Sequence, residues 1–331
     1  MTKIVVDAMG GDYAPHAIVK GAVEAIKEYD IQVILTGPKD IVEAELKKYK
    51  YDHSRISVVH ASEVVEMHES PATTIRKKKD SSINVGINLM KQGNADAFFS
   101  AGNTGACVCS ASLFLGMLPG IERPGISIIT PTLKGFSLVI DVGANIEPKH
   151  LHLLQYAIMA EAYLEFVFNK KRPKIGILSI GTESSKGTDF IKECYQLLEK
   201  SGLNFIGNVE GKDIFSGNTD IIVCDGYVGN VALKVSESLA EMLFDFLRRE
   251  LMSSWLTKMA VLFLKSSLRR FKQNLDYSEY GGAPLLGVNG AVIIGHGRSS
   301  AKAVKNGIRV AKEEFERSVN AHIVESIKKI I

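Results

Sequence analysis

The 331 residues contain no apolar stretch as long as the about twenty positions that a bilayer-spanning helix requires. Cysteine is scarce, and Cys107, Cys109, Cys194 and Cys224 do not make a disulfide framework at this length. Cys107-Val108-Cys109 has no matching second pair, so no zinc site is expected, and the thiols read as small core residues in a reducing cytoplasm. Excess charge of one sign is nearly absent. Forty Lys and Arg against 37 Asp and Glu leave a net +3, too mild to argue for a nucleic-acid partner. The opening Met1-Thr2-Lys3-Ile4-Val5-Val6 lacks a signal-peptide layout, because its apolar run ends at Asp7 after three residues. There is no G-x-S-x-G elbow to carry a serine nucleophile. Gly181 to Thr188 (GTESSKGT) is not a phosphate-binding Walker loop, since Lys186 precedes its glycine. His150 and His152 stand at i and i+2, on different sides of a helix, and do not read as metal ligands.

What is present is the balance of a soluble globular protein, 46% hydrophobic and 23% charged, and a repeated device. Short apolar strands empty through glycine-rich polar turns into helices. The stretch Asp96 to Ala106 (DAFFSAGNTGA) shows it most plainly: a strand, the turn Ser100-Ala101-Gly102-Asn103-Thr104-Gly105, then an apolar helix from Ala106 to Leu115. A helix N-terminus reached this way leaves backbone N–H groups pointing outward, an anion site to which Ser100, Asn103 and Thr104 add short side-chain donors. An ordinary βα turn is the plainer reading of any one such loop.

The device recurs along the chain. Ile4-Val5-Val6 leads into Asp7 to Asp12 (DAMGGD), where Gly10 and Gly11 let the backbone approach a ligand or another loop. Asp7 and Asp12 orient donors there, hold a transient cation, or in the case of Asp12 cap the next helix. Arg76 to Lys79 form a basic cluster before the N-cap signature Asp80-Ser81-Ser82, and Lys79 is either solvated or turned toward an acidic group. Asp141 to Asn145 (DVGAN), Gly207 to Gly211 (GNVEG), Asp225 to Asn230 (DGYVGN) and Tyr280 to Gly287 (YGGAPLLG) continue the series, with Lys186 placed to face an anion. Gly295-His296-Gly297 is only a weak match to a dinucleotide fingerprint. Strands alternating with helices predict an α/β fold, a doubly wound, mostly parallel sheet with helices on both faces. About nine strand-end loops are then expected to gather at one carboxyl edge, lined by Asn103, Asn145 and Asn230. The whole of residues 1–331 reads as one α/β catalytic domain, or two lobes, with an inserted helical hairpin at about 235–275.

That hairpin breaks the pattern. Leu251, Met252, Trp255, Leu256, Met259, Leu262 and Phe263 form one helical stripe, and Met259 to Leu264 is apolar on every side. No acid lies between Glu250 and Asp276, while Lys258, Lys265, Arg269, Arg270 and Lys272 are basic. Such a segment suits the surface of an anionic membrane, through Trp255, Met259, Leu262 and Phe263, or a dimer contact.

In this order, DAMGGD, Glu69 to Ser82 (ESPATTIRKKKDSS), Ser100 to Ala106 (SAGNTGA), DVGAN, Gly207 to Asp213 (GNVEGKD), DGYVGN and YGGAPLLG resemble the bacterial acyl-ACP:phosphate acyltransferases of phospholipid synthesis. The resemblance spans essentially the whole chain. It implies a fold similar to the isocitrate and isopropylmalate dehydrogenases and to phosphotransacetylases, and homodimers formed through the later half. It further implies acyl-ACP and inorganic phosphate as substrates, acyl phosphate and ACP as products, and no cofactor or metal. On that basis Lys186, Asn230, Asn145 and Asp7 are the candidate catalytic residues. Phosphate falls to Ser100, Gly102, Asn103, Thr104 and Gly105, helped by Lys186 or Lys79, and other substrate contacts to Gly10, Gly11, Gly281 and Gly282. Asn145 or Asn230 donates to the oxyanion. The implied setting is the cytoplasmic face of the membrane, held peripherally, near the downstream membrane glycerol-3-phosphate acyltransferase. A CoA-dependent phosphotransacetylase and a non-catalytic membrane-docking scaffold are the competing readings. A metal- and NAD-dependent decarboxylating dehydrogenase would need a carboxylate cluster and a cofactor fingerprint that the sequence lacks.

Overall fold

In the computed structural model, which describes residues 1–275 and 281–331, strands and helices alternate almost throughout. The first half runs β1 (Thr2–Asp7), α1 (His16–Glu28), β2 (Ile31–Gly37), α2 (Lys39–Leu46), β3 (Ile56–His60), α3 (Pro71–Lys77), α4 (Ser82–Lys91), β4 (Ala97–Ser100) and α5 (Thr104–Phe114). The hairpin β5 (Gly125–Thr132) and β6 (Gly135–Ile140) leads to α6 (His150–Phe168), β7 (Ile175–Leu178), α7 (Asp189–Lys200), β8 (Phe205–Val209) and β9 (Ile221–Val223). Two long helices follow, α8 (Gly226–Leu251) and α9 (Trp255–Leu275), then β10 (Ala283–Leu286), β11 (Ala291–Ile294), α10 (Ala301–Glu316) and α11 (Val319–Ile330).

The strands form one 11-stranded sheet in the order β3-β2-β1-β4-β11-β10-β5-β6-β9-β7-β8. Seven of its described pairings are parallel and three antiparallel, as the alternating pattern predicts. Side chains alternate between its faces. Ile4, Val6, Val33, Leu35 and Phe99 pack with α1 and α10, while Val5 and Phe98 turn to the opposite face with Ile83 and Ile87 of α4. In the second half Ile140, Ile177 and Val223 meet α6, while Val139 and Ile222 face the other way.

The antiparallel pairings change what the loops can do together. Because β10 opposes both β11 and β5, and β6 opposes β5, the strands β6, β9, β7 and β8 run opposite to β1–β4. The expected single carboxyl edge is therefore two edges, one for each half. Helix α8 links them. It starts at the β9 end, and further along its length Glu237 and Glu241 stand 3.8 Å from His296 and 3.6 Å from Arg298, in the loop that follows β11. At 1.5 Å per residue, Glu237 lies about 10 Å along the axis from Asn230.

The hairpin is longer than the sequence pattern suggests, because Asp225 caps α8 by accepting from the Val228 N–H at 2.8 Å. Trp255, Met259 and Phe263 are exposed on α9. The side chains of Leu262, Arg269 and Arg270, and Tyr280 as a whole, lie outside the described residues. Among the described residues no helix is long and apolar enough to cross a membrane.

Helix α10 carries one buried acid. Neither carboxylate oxygen of Glu314 meets a donor among the described residues, and burial pushes its carboxyl up to about 8. An unfolded glutamate titrates near about 4.3, so between these values the folded chain holds a proton that the unfolded chain releases. Stability from this group is full below the lower value and falls as pH rises through the upper one. Glu314→Gln is expected to melt like the parent near about pH 4 and well above it at pH values beyond about 8. Melting temperatures that track each other across this range would refute the assignment.

Candidate active site

Each edge is organised by a carboxylate at the end of a strand. Asp141, just past β6, is wholly buried, and the N–H groups of Ile126, Gly143, Ala144 and Asn145 donate to it at 3.1, 3.1, 2.8 and 2.7 Å. Burial raises its carboxyl above the ordinary range, and these four donors pull it back. They also wind DVGAN into a tight loop, with Gly143 at φ 138°, a conformation that side chains disfavour. A Cβ on Gly143 would sit 3.7 Å from the Asn230 side chain, and one on Gly226 would strike the Asn145 carbonyl at 2.6 Å. The β6 and β9 loops are thus packed backbone to backbone.

The two asparagines brought together here have different freedom. The Asn145 amide donates to the Pro124 carbonyl at 2.6 Å and to the Tyr156 hydroxyl at 2.7 Å, so it holds the loop. Asn230 is exposed at the fifth residue of α8, just past its first turn, and its amide has no partner among the described residues. Lys186, in the loop after the neighbouring β7, is likewise exposed, with no carboxylate in ion-pair range among the described residues. Beside this edge lies a cleft of about 520 Å³ lined by Glu122, Arg123, Ala144, Asn145, Ile146, Glu147, Lys149 and His152. A second hollow of about 320 Å³, which includes Glu314, lies at the amino ends of β4 and β11, away from these loops.

At the other edge Asp7 is buried at the end of β1. The Ser100 hydroxyl donates to its carboxylate at 2.7 Å and accepts from the Gly102 N–H at 3.0 Å. Burial raises the Asp7 carboxyl, against hydrogen bonds from Ser82, Ser100 and Met9. A Cβ on Gly10 would lie 2.7 Å from both the Asp7 carboxylate and the Gly102 nitrogen, so only glycine closes this contact. Gly11 stands at φ 97° against the Gly297 and Ala101 carbonyls. Asp12 donates its N–H to Gly297 and leaves the α1 cap to Pro15.

Asn103 is placed as a brace. Its Oδ1 accepts from the Ala106 N–H at 3.0 Å, and its Nδ2 faces the carbonyls of Glu66, Met67 and Glu69 at 3.1, 3.2 and 3.1 Å. With Ser100 and Asn103 committed, the groups left open are the Thr104 and Gly105 amides, which meet no acceptor among the described residues, and the exposed Thr104 hydroxyl. Lys79 is exposed, whereas Lys78 is tied to Glu69 at 2.7 Å. Gly281 and Gly282 precede β10 at the Ser100 edge, since Ala283 pairs with Ile294 and Ile294 with Ser100. A Cβ on Gly281 would strike the Asn306 backbone at 2.3 Å and one on Gly282 the Ile293 side chain at 2.7 Å, so both serve the packing of β10.

Sequence reasoning left Asp141 without a role, although its position in DVGAN matches that of Asp7 in DAMGGD, an acid between an apolar strand and a glycine. It also passed over Ser179, whose buried hydroxyl has no partner among the described residues and lies 2.9 Å from where a Cβ on Gly187 would be. The thiols do not offer a nucleophile: burial pushes Cys107 and Cys194 up to about 12, Cys224 well above its ordinary value and Cys109 upward.

The mostly parallel α/β sheet with helices on both faces is a fold shared with known enzymes. The structure is similar to a phosphotransacetylase from Streptococcus pyogenes (TM-score 0.66, 18% identity, 95% of this chain and 94% of that one). It is also similar to a 4-hydroxythreonine-4-phosphate dehydrogenase from Klebsiella pneumoniae (TM-score 0.54, 13% identity, 94% and 98%). At these identities the likeness is one of fold. Residues 2–322 match the model of the fatty acid synthesis protein family, and the chain belongs to that family. Among its relatives are the phosphate acyltransferases of Dictyoglomus turgidum, 52% identical over 330 residues (99% of this chain, 98% of that one), and of Alkaliphilus oremlandii, 48% identical over 328 residues (99% and 98%). The protein is an enzyme of the acyltransferase class.

Replacing Asp141 with Asn sets an NH₂ group against converging backbone N–H donors. At about 1–3 kcal/mol per buried group left unpaired, Asp141→Asn should lose about 2 kcal/mol or more. Asn230→Ala, at an exposed position, should stay within about 0.5 kcal/mol of the parent. Denaturant midpoints decide it; an unmoved midpoint in Asp141→Asn would remove the acid from the loop's organisation.

Proposed function

We propose that the protein transfers a fatty acyl group from acyl-ACP to inorganic phosphate, releasing acyl phosphate and ACP, in phospholipid synthesis. The observation that carries this reading is the unpaired Asn230 amide and Lys186 ammonium at one sheet edge, with no activated nucleophile among the described residues beside them. Phosphate supplies the nucleophile itself. An oxygen of hydrogen phosphate attacks the thioester carbon, the C–O bond forms, and the C–S bond breaks with its electron pair going to sulfur. The proton of hydrogen phosphate ends on the carrier thiol, whose ordinary pKa of about 8.5 makes the thiolate a good leaving group.

Catalysis is then a matter of positioning and of stabilising charge on the carbonyl oxygen. Lys186 holds the phosphate and Asn230 donates to the oxyanion, while Asp141 and Asn145 keep the loop beneath Asn230 rigid. Across α8 the free Thr104 and Gly105 amides take a second anionic group of the substrates, with Asp7, Ser100, Gly10 and Gly11 fixing that turn. Exposed Arg76, Lys77 and Lys79 offer an acidic carrier a face of opposite charge. The distal part of α8, where Leu243, Phe246 and Leu247 are exposed, pairs with a second copy. The basic, apolar α9 rests on an anionic membrane surface, where the acyl phosphate reaches the downstream membrane acyltransferase.

Removing one donor to an oxyanion costs about a hundred- to a thousandfold in rate. Lys186→Ala and Asn230→Ala should each lose acyl phosphate formation on that order while melting like the parent; near-parental turnover in both would overturn the assignment. If the donor is instead CoA-bound, acyl-CoA rather than acyl-ACP will support thiol release. Phe263→Glu should cut flotation with anionic vesicles, and unchanged flotation would count against the membrane role of α9.

A further inference from the structure

Large apolar side chains are exposed around the Asn230 and Lys186 edge. Ile146 follows β6 and is 66% exposed, Tyr227 follows β9 at 64%, and Ile180 follows β7 at 85%. These three loops leave adjacent parallel strands, spaced about 4.8 Å apart. Single exposed hydrophobics are ordinary, but several converging on one polar centre mark a binding surface. From Tyr227 the series continues along α8 through Val231 and Val235, each four residues on and therefore on one face of the helix, about 12 Å from first to last. Ile146 also borders the cleft beside Asn145, but there it stands with Ala144 among Glu122, Arg123, Glu147, Lys149 and His152, a mostly charged lining that disfavours a hydrocarbon chain.

We propose that Ile180, Tyr227, Val231 and Val235 form the seat and the ruler for the acyl chain. The first two hold its thioester end against Lys186 and Asn230, and Val235 is reached only by long chains. This rests on the acyl-transfer reading of the same edge. A ridge built for a second copy has no need of Ile180 in the β7 loop beside Tyr227 at the start of α8, whereas a fatty thioester must place a polar carbonyl and an apolar chain side by side.

The test compares butyryl- and palmitoyl-ACP as donors for the full-length parent, Val235→Glu and Tyr227→Ala. Val235→Glu should lower kcat/KM for the palmitoyl donor by about tenfold or more, since each buried methylene is worth about 0.8 kcal/mol. It should leave the butyryl donor within about twofold, while Tyr227→Ala should weaken both. Equal losses on both donors in Val235→Glu, with a shift in oligomeric state by light scattering, would make the ridge a contact between copies and overturn the proposal. Unchanged kinetics on both donors would overturn it as well. A parent that forms no acyl phosphate from either donor would instead defeat the acyl-transfer reading. In that case weaker binding of palmitoyl-ACP, but not butyryl-ACP, to Val235→Glu would still support the seat, and equal binding would overturn it.

Discussion

Two carboxylates buried at strand ends hold the functional surface in shape. Taking a carboxylate out of water costs several kcal/mol unless donors replace the lost solvent. Asp141 meets that demand with four backbone N–H groups, Asp7 with Ser100, Ser82 and the Met9 amide. Donors drawn to an acid fix the backbone that carries them. In both loops the adjacent glycines are there because another backbone comes too close for a side chain, as at Gly10 over Gly102 and Gly226 over Asn145. The acids need not touch substrate. Their work is to spend the local donors in one geometry, which leaves Asn230, and the Thr104 and Gly105 amides, pointing outward.

That logic also separates braces from available groups. Asn103, Asn145 and Ser100 are the polar residues that a reader of the sequence would place against a ligand. Each has its hydrogen-bonding capacity absorbed by backbone or by a buried acid. The residues with capacity to spare, Asn230 and Lys186, are exposed and face no such partner among the described residues. Donors fixed in this way need not reorient when charge develops beside them, which is what the proposed transfer asks of Asn230.

Much of the fold was legible because period and punctuation agree. Val5 and Phe98 on one face, Ile4, Val6 and Phe99 on the other, follow from a two-residue repeat, and glycine-rich turns mark most strand ends, β3 being an exception. The reversal of direction in the middle of the sheet was legible only in part. The short links, Leu133-Lys134 between β5 and β6 and Gly287 to Gly290 with its Asn-Gly pair between β10 and β11, do specify hairpins, because a parallel crossover needs about a dozen residues; what was missed is that β10 and β5 pair, which brings partners far apart in sequence together. Asp141 was legible in principle by analogy with Asp7. The commitment of Asn103 was not, since its three carbonyl partners at Glu66, Met67 and Glu69 come from a segment brought there only by tertiary packing.

The reversal separates the open donors of the two halves. With every strand parallel, one edge would carry all the glycine loops and a single anion site would suffice. With the halves opposed, the Ser100–Gly105 turn and the Lys186–Asn230 edge are separate surfaces, and α8 passes from one to the other, with Glu237 and Glu241 beside His296 and Arg298 on the way. In the proposed transfer, phosphate and thioester meet at the Lys186–Asn230 edge, and the Thr104 and Gly105 amides of the other edge are left for a second anionic group of the substrates. The same helix that spans the two surfaces carries the apolar ridge beyond Asn230 and continues toward α9. The long helix is thus the element through which the polar chemistry of the sheet edge and the apolar character of the hairpin become parts of one surface.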